Sequence, residues 1–251
     1  MKNCLILGAG RSGTSMAAGS LAKAGYFMGE NLIAARKSNP KGFFEDVEVN
    51  MINEELLGYV VPARKNLLGI EFFPSRPVEG QRWLSCVPVE TAISCPRHIS
   101  ERIRMMTSRE PFCFKDPRFS YTLSAWRPFL RNTVFVCVFR DPASTALSMI
   151  KECKEASYLK SLKMSFTRAL NVWQMMYARI LRVHSADGEW LFLHYDQFIK
   201  GTALERLKTS LGAGVDYTFP DVSLNRCFSN KPVPTKNREV YRQLCKLAGF
   251  Q

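Results

Sequence analysis

The sequence predicts an α/β fold built on a central, largely parallel sheet. Three observations predict it. Four short apolar runs read as buried strands, amphipathic helical stretches separate them, and a glycine-rich turn joins the first run to the first helix. The strands are expected at Cys4–Leu7, Phe112–Phe114, Thr133–Phe139 and Trp190–His194. The helix after the glycine turn starts near Gly13 and places Ala17, Leu21 and Ala24 on one face. A second helix is expected over Val47–Leu57. The most regular one runs from Leu162 to about His184, with Phe166, Leu170, Trp173, Tyr177, Ile180 and His184 spaced by three or four residues. The stretch 61–96, rich in Pro and Gly, reads as an irregular insertion in a single domain spanning 1–251. A second loop, 225–236, precedes a terminal helix.

Lys and Arg outnumber Asp and Glu by 35 to 22, a formal charge of +13 that favours an anionic partner without choosing one. The basic residues are scattered, and neither a clustered basic face nor an aromatic RNA-binding motif is readable, so no nucleic-acid partner is expected. The eight cysteines form no CxxC pair and no zinc spacing, so no metal is expected and a reducing, cytoplasmic compartment is. The longest purely apolar run, Val134 to Phe139, is far short of a membrane span, and the N-terminal apolar stretch is too short for a signal peptide.

The strongest local signal is Leu5-Ile-Leu-Gly8-Ala-Gly10-Arg11-Ser12-Gly13-Thr14-Ser15. A strand runs into a glycine turn that opens a helix, whose free N–H groups and positive dipole end suit a phosphate. As GxGxxG (Gly8, Gly10, Gly13) the turn fits a dinucleotide site, and Glu30 lies near the place of a ribose-binding acid. As a Walker-type loop it lacks the Lys after Gly13, and its cation is Arg11, inside the turn. The second signal is the apolar strand ending at Arg140-Asp141-Pro142. Asp141 and Pro142 open a helix that carries Ser144, Thr145 and Ser148 on one face. Arg140 and Ser148 are placed to grip a second phosphate.

Arg11-Ser-Gly-Thr-Ser15 resembles the 5′-phosphosulfate loop of sulfotransferases, and Arg140 with Ser148 eight residues on resembles their 3′-phosphate motif. The resemblance, carried by four motifs between Gly8 and Tyr195, implies a P-loop-like, three-layer α/β/α fold and 3′-phosphoadenosine-5′-phosphosulfate as donor. It implies that Gly10, Ser12, Gly13, Thr14 and Ser15 hold the 5′-phosphate. It places Arg11 on the bridging oxygen, Arg140 and Ser148 on the 3′-phosphate, and Tyr195 near the adenine. Lys115, in Lys-Asp-Pro-Arg118, resembles the lysine that neutralises the sulfuryl group. Gly42-Phe-Phe-Glu45-Asp46 resembles a segment of bacterial members whose carboxylate suits a general base. Glu45 is the first candidate and Asp46 the second, since one of the pair can cap the helix that follows. The His of animal members' Lys-Thr-His motif has no counterpart here. The acceptor is expected to be a small molecule, lipid or glycan shaped by 61–96. Two other readings stay open: a P-loop kinase or NTPase, and an NAD-binding oxidoreductase. Trp173, Met176 and Tyr177 read as core, and His184 as a packing residue.

Overall fold

A computed structural model describes residues 1–67, 70–224, 227–229 and 231–251. Leu68 and Gly69 of the expected insertion, and Asn225, Arg226 and Asn230 of the late loop, lie outside the described residues.

In chain order the elements are β1 (Asn3–Leu7), α1 (Thr14–Leu21), α2 (Val47–Gly58), β2 (Lys65–Leu67) and β3 (Ile70–Phe72). Then come α3 (Arg97–Thr107), β4 (Cys113–Lys115), α4 (Phe119–Trp126), β5 (Thr133–Phe139), α5 (Pro142–Glu155) and α6 (Phe166–Arg179). The chain closes with β6 (Glu189–His194), α7 (Tyr195–Ile199), α8 (Thr202–Leu211) and α9 (Thr235–Ala248). Strands β4, β1, β5 and β6 form one sheet in that order, every pair parallel. The four predicted strands are all present, shifted by at most one residue at their ends. β2 and β3 pair separately as an antiparallel hairpin.

Period-two alternation splits the sheet's side chains between two cores. Leu5, Leu7, Phe135, Cys137 and Phe139 join the larger core with α2 and α6, while Cys4, Ile6, Val134, Val136 and Val138 join the core under α1 and α8. Helices therefore cover both faces, giving three layers. The register aligns Ile6 with Lys115, Leu7 with Cys137 and Phe139 with His194. All four carboxyl ends thus lie along one sheet edge. Connections from β1 lead to one side and those from β5 to the other, so the crevice where such folds bind ligands lies at the ends of β1 and β5.

Several sequence expectations shift in detail. The helix expected from Leu162 starts at Phe166, because the Ser165 hydroxyl accepts from the Arg168 N–H at 3.2 Å and caps it. Its last five residues, Ile180–His184, continue in a wider π turn. α1 ends at Leu21, short of Ala24, and the chain then turns through Gly25 with φ 88°. The insertion at 61–96 is not wholly irregular: besides the hairpin it holds a 3₁₀ turn, Arg82–Leu84, that buries Trp83 and Leu84. Trp173, Met176 and Tyr177 are fully buried, and His184 packs in the interior as the pattern implied. Among the described residues no helix is long and apolar enough to cross a membrane.

Candidate functional site

Two cavities meet over the carboxyl ends of the strands. The smaller, about 220 Å³, is lined by Arg11, Gly13, Arg140, Ser148, Tyr195 and the loop 37–41. The larger, about 870 Å³, lies between the glycine turn, α2, the 79–83 segment and Lys115. Arg11, Thr14, Ser15 and Glu152 line both and form the junction.

The turn has no room for side chains at its glycines. Gly13 has φ 98°, a left-handed value, and a Cβ there would lie 2.7 Å from the Tyr195 ring. Its neighbour Gly10 lies against Trp83, with room for no side chain between them. No side chain caps α1, so among the described residues the Thr14 and Ser15 amides have no acceptor. Ser12 departs from expectation. Its hydroxyl is fully buried 3.0 Å from the Tyr177 hydroxyl, its N–H is bonded to the Ala9 carbonyl at 3.2 Å, and it lines neither cavity. The Tyr177 hydroxyl also accepts from the Ala9 N–H at 3.0 Å and donates to the Val138 carbonyl at 2.7 Å. Tyr177 thus ties the turn to β5, a role its place on an apolar helical stripe did not reveal.

Arg11, at φ 73°, is the strained residue of the turn. Its Nε donates to Ser148 Oγ at 3.2 Å and one Nη to the Ser38 carbonyl at 3.1 Å, while the other lies 3.4 Å from the Glu152 carboxylate. Glu152, only 3% exposed, also accepts from Ser38 Oγ at 3.0 Å. Glu152 lies one turn beyond Ser148 on the same helical face, a spacing that could have marked it. Arg140 stacks over the Tyr195 ring at 4.5 Å and donates to the Cys227 carbonyl. The tips of β5 and β6 thus meet in the same cleft as the glycine turn.

At the junction Lys115, 2% exposed, is ion-paired with Glu45 and lies 3.3 Å from Ser15 Oγ. Asn50 donates to the other Glu45 oxygen at 3.0 Å. Burial alone would raise the Glu45 carboxyl, but Lys115 and Arg118 outweigh it and hold the group below the usual carboxylate range. Behind it, Arg118 bridges Asp116 at 3.0 Å and Glu54 at 2.6 Å. Burial pushes the Asp116 carboxyl up to about 6, although Arg118 pulls it down.

Glu45 and Asp46, adjacent in sequence, have separate fates. Glu45 lines the larger cavity. Asp46 caps α2 instead: one carboxylate oxygen accepts from the Glu48 and Val49 amides at 2.9 and 3.1 Å, the other from the Asn31 amide at 2.9 Å. Asp46 lines neither cavity. A pair of variants checks the split. Asp46→Ala is expected to cost about 1–2 kcal/mol, a fall of a few degrees in Tm, with little change in turnover per folded molecule. Glu45→Gln is expected to lower turnover about 10²-fold or more. Calorimetry and steady-state rates on both variants read the two effects apart.

Of the remaining candidates, Glu30 pairs with exposed Arg109 and lines neither cavity. His98 is exposed and paired with Glu55 at 2.6 Å. In the late loop, Lys236 falls in the first turn of α9 and donates to Asn171 at 3.0 Å.

No family model matches the sequence, and comparison with curated proteins gives no match. In structure, the chain is similar to the sulfotransferase domain of the Synechococcus PCC 7002 olefin synthase, with TM-score 0.57 and 13% identity over 98% of this chain and 96% of that one. It is equally similar to the sulfotransferase domain from the curacin biosynthetic pathway, with TM-score 0.57 and 14% identity over 100% and 98%. At this identity the likeness is one of fold: the chain has the three-layer α/β/α sulfotransferase fold.

Proposed function

We propose that the chain is a sulfotransferase that moves a sulfuryl group from 3′-phosphoadenosine-5′-phosphosulfate to a hydroxyl or amine of its acceptor. The observation that carries this reading is the pair of strand tips in one cleft. The glycine turn after β1 and Arg140 after β5 line the same cavity, and that cavity opens at Arg11, Thr14 and Ser15 into a second one holding Lys115 and Glu45.

The free Thr14 and Ser15 amides and the α1 dipole suit the 5′-phosphate. Arg140, already stacked on Tyr195, and Ser148 suit the 3′-phosphate, with the Tyr195 ring beside the base. Arg11 crosses from the turn to Ser148 and narrows the smaller cavity, so nucleotide binding requires its guanidinium to leave Ser148 and Glu152. The donor supplies an activated sulfuryl group on a good leaving phosphate. The acceptor oxygen or nitrogen forms a bond to sulfur as the sulfur–oxygen bond to the phosphate breaks, and adenosine 3′,5′-bisphosphate departs. Arg11 and Lys115 neutralise the charge that gathers on the bridging and sulfuryl oxygens. Glu45, kept ionised by Lys115 and Arg118, takes the acceptor's proton.

Thermal unfolding with candidate nucleotides tests the reading. At about a hundredfold excess over its dissociation constant, adenosine 3′,5′-bisphosphate is expected to stabilise the protein by about 2.7 kcal/mol, raising Tm by roughly 5–10 °C. ATP with Mg²⁺, NAD and an oligonucleotide are expected to leave Tm unchanged. Stabilisation by NAD alone would overturn the proposal.

A further inference from the structure

α2 is polarised in an unusual way. Val49, Ile52, Leu56 and Leu57 face the core, while the opposite face lines the larger cavity along the helix's whole length. Val47, Asn50, Met51, Glu54, Gly58 and Tyr59 follow the i, i+3, i+4, i+7 spacing of one helical face. The cavity is therefore a groove roughly 18 Å long, starting beside Glu45 and Lys115 and running to the far end of the helix. Its apolar members are left in water: Val47 is 40% exposed, Met51 48% and Tyr59 56%. Trp83, Phe43 and Ile33 also line the space.

The charged groups lining the groove are spent on one another. Glu54 binds Arg82 at 3.3 Å and Arg118 at 2.6 Å, Arg102 binds Glu48 and Glu55 at 2.6 and 2.7 Å, and Lys115 binds Glu45. Asn50 is engaged by Glu45 and Arg118. Arg36 and Glu79, the lining charges without a salt bridge among the described residues, are both exposed. A glycan needs hydrogen-bond partners along its length, and this face has few to give. An apolar chain needs only the surface that is left bare.

We infer that the acceptor is an elongated, uncharged aliphatic alcohol. Its hydroxyl sits at the Glu45–Lys115 end, and its chain lies along the outer face of α2. This rests on the sulfuryl-transfer reading: the alcohol oxygen forms the new bond to sulfur, its proton passes to Glu45, and the bisphosphate leaves.

The test is titration of the protein, with adenosine 3′,5′-bisphosphate present, with butanol, hexanol, octanol and decanol. Each added methylene is expected to tighten binding by about threefold to fourfold. Met51→Glu, about 6 Å along the helix from Val47, is expected to weaken decanol binding at least about tenfold and butanol binding much less, and Tyr59→Glu, about 18 Å along, to weaken decanol binding less than Met51→Glu does. Both positions are exposed, so both variants should melt with the parent. A flat chain-length series, equal decanol binding in the variants, or tighter binding of decylamine or a carboxylate-bearing analogue would overturn the inference. Incubation with labelled donor separates it from the parent reading. Chain-length-dependent binding without any sulfate ester leaves the groove standing and sinks sulfuryl transfer. Sulfation of short polyols with the same KM as decanol does the reverse.

Discussion

Arg11→Ala is expected to lower kcat by about 10²–10³-fold while changing affinity for adenosine 3′,5′-bisphosphate by less than about tenfold. The asymmetry follows from what Arg11 faces. The bisphosphate carries no sulfuryl group, so most of what the guanidinium stabilises is absent from it. Charge on the bridging oxygen appears as the bond to sulfur breaks, and a cation brought beside that oxygen acts mainly on that species. In the resting site the same guanidinium rests on Ser148, the Ser38 carbonyl and Glu152. Its removal leaves Glu152 with the Ser38 hydroxyl as partner, so a modest loss of stability accompanies the loss of rate. Single-turnover rates with any acceptor that supports transfer, beside titration of the bisphosphate, read the two effects independently. A variant that loses affinity and rate in equal measure would move Arg11 from chemistry to binding.

Arg140→Ala is expected to do the opposite. Loss of a charge-assisted contact to the 3′-phosphate costs about 1.5–3 kcal/mol, so bisphosphate binding should weaken by about 10- to 100-fold. Turnover at saturating donor should change little. The informative control is 5′-AMP, which lacks the 3′-phosphate and should bind parent and variant alike. Equal weakening of both nucleotides would mean that Arg140 supports the cleft through Tyr195 and the Cys227 carbonyl rather than holding a phosphate.

Much of this site was legible because its parts are local. β1, β4, β5 and β6 are short, mostly apolar runs in a sheet covered on both faces, so each reads as a strand without reference to its partners. The glycine turn and the Arg140-Asp-Pro start of α5 are contiguous patterns whose mechanics lie within a few residues. What the sequence hides is long-range pairing. Nothing in the turn's own sequence shows that Tyr177, 165 residues away, meets the Ser12 hydroxyl. Lys115 meets Glu45 across 70 residues, and Arg118 meets Glu54 across 64. No local spacing encodes those contacts. Asp46 and Glu45 were distinguishable in principle, since Asp46 directly precedes α2 and Asp is among the preferred N-caps. The groove along α2 was hidden for another reason. Its outer face mixes Val47 and Met51 with Asn50 and Glu54, and only tertiary packing shows that this face lines a cavity.

The central claim is that two strand tips hold two phosphates of a single nucleotide, and a crystal structure with adenosine 3′,5′-bisphosphate tests it most directly. The account predicts the 5′-phosphate on the Thr14 and Ser15 amides, the 3′-phosphate between Arg140 and Ser148, and the Arg11 guanidinium released from Glu152. A nucleotide bound with its 3′-phosphate away from Arg140, or outside the cleft that joins the two tips, would contradict it.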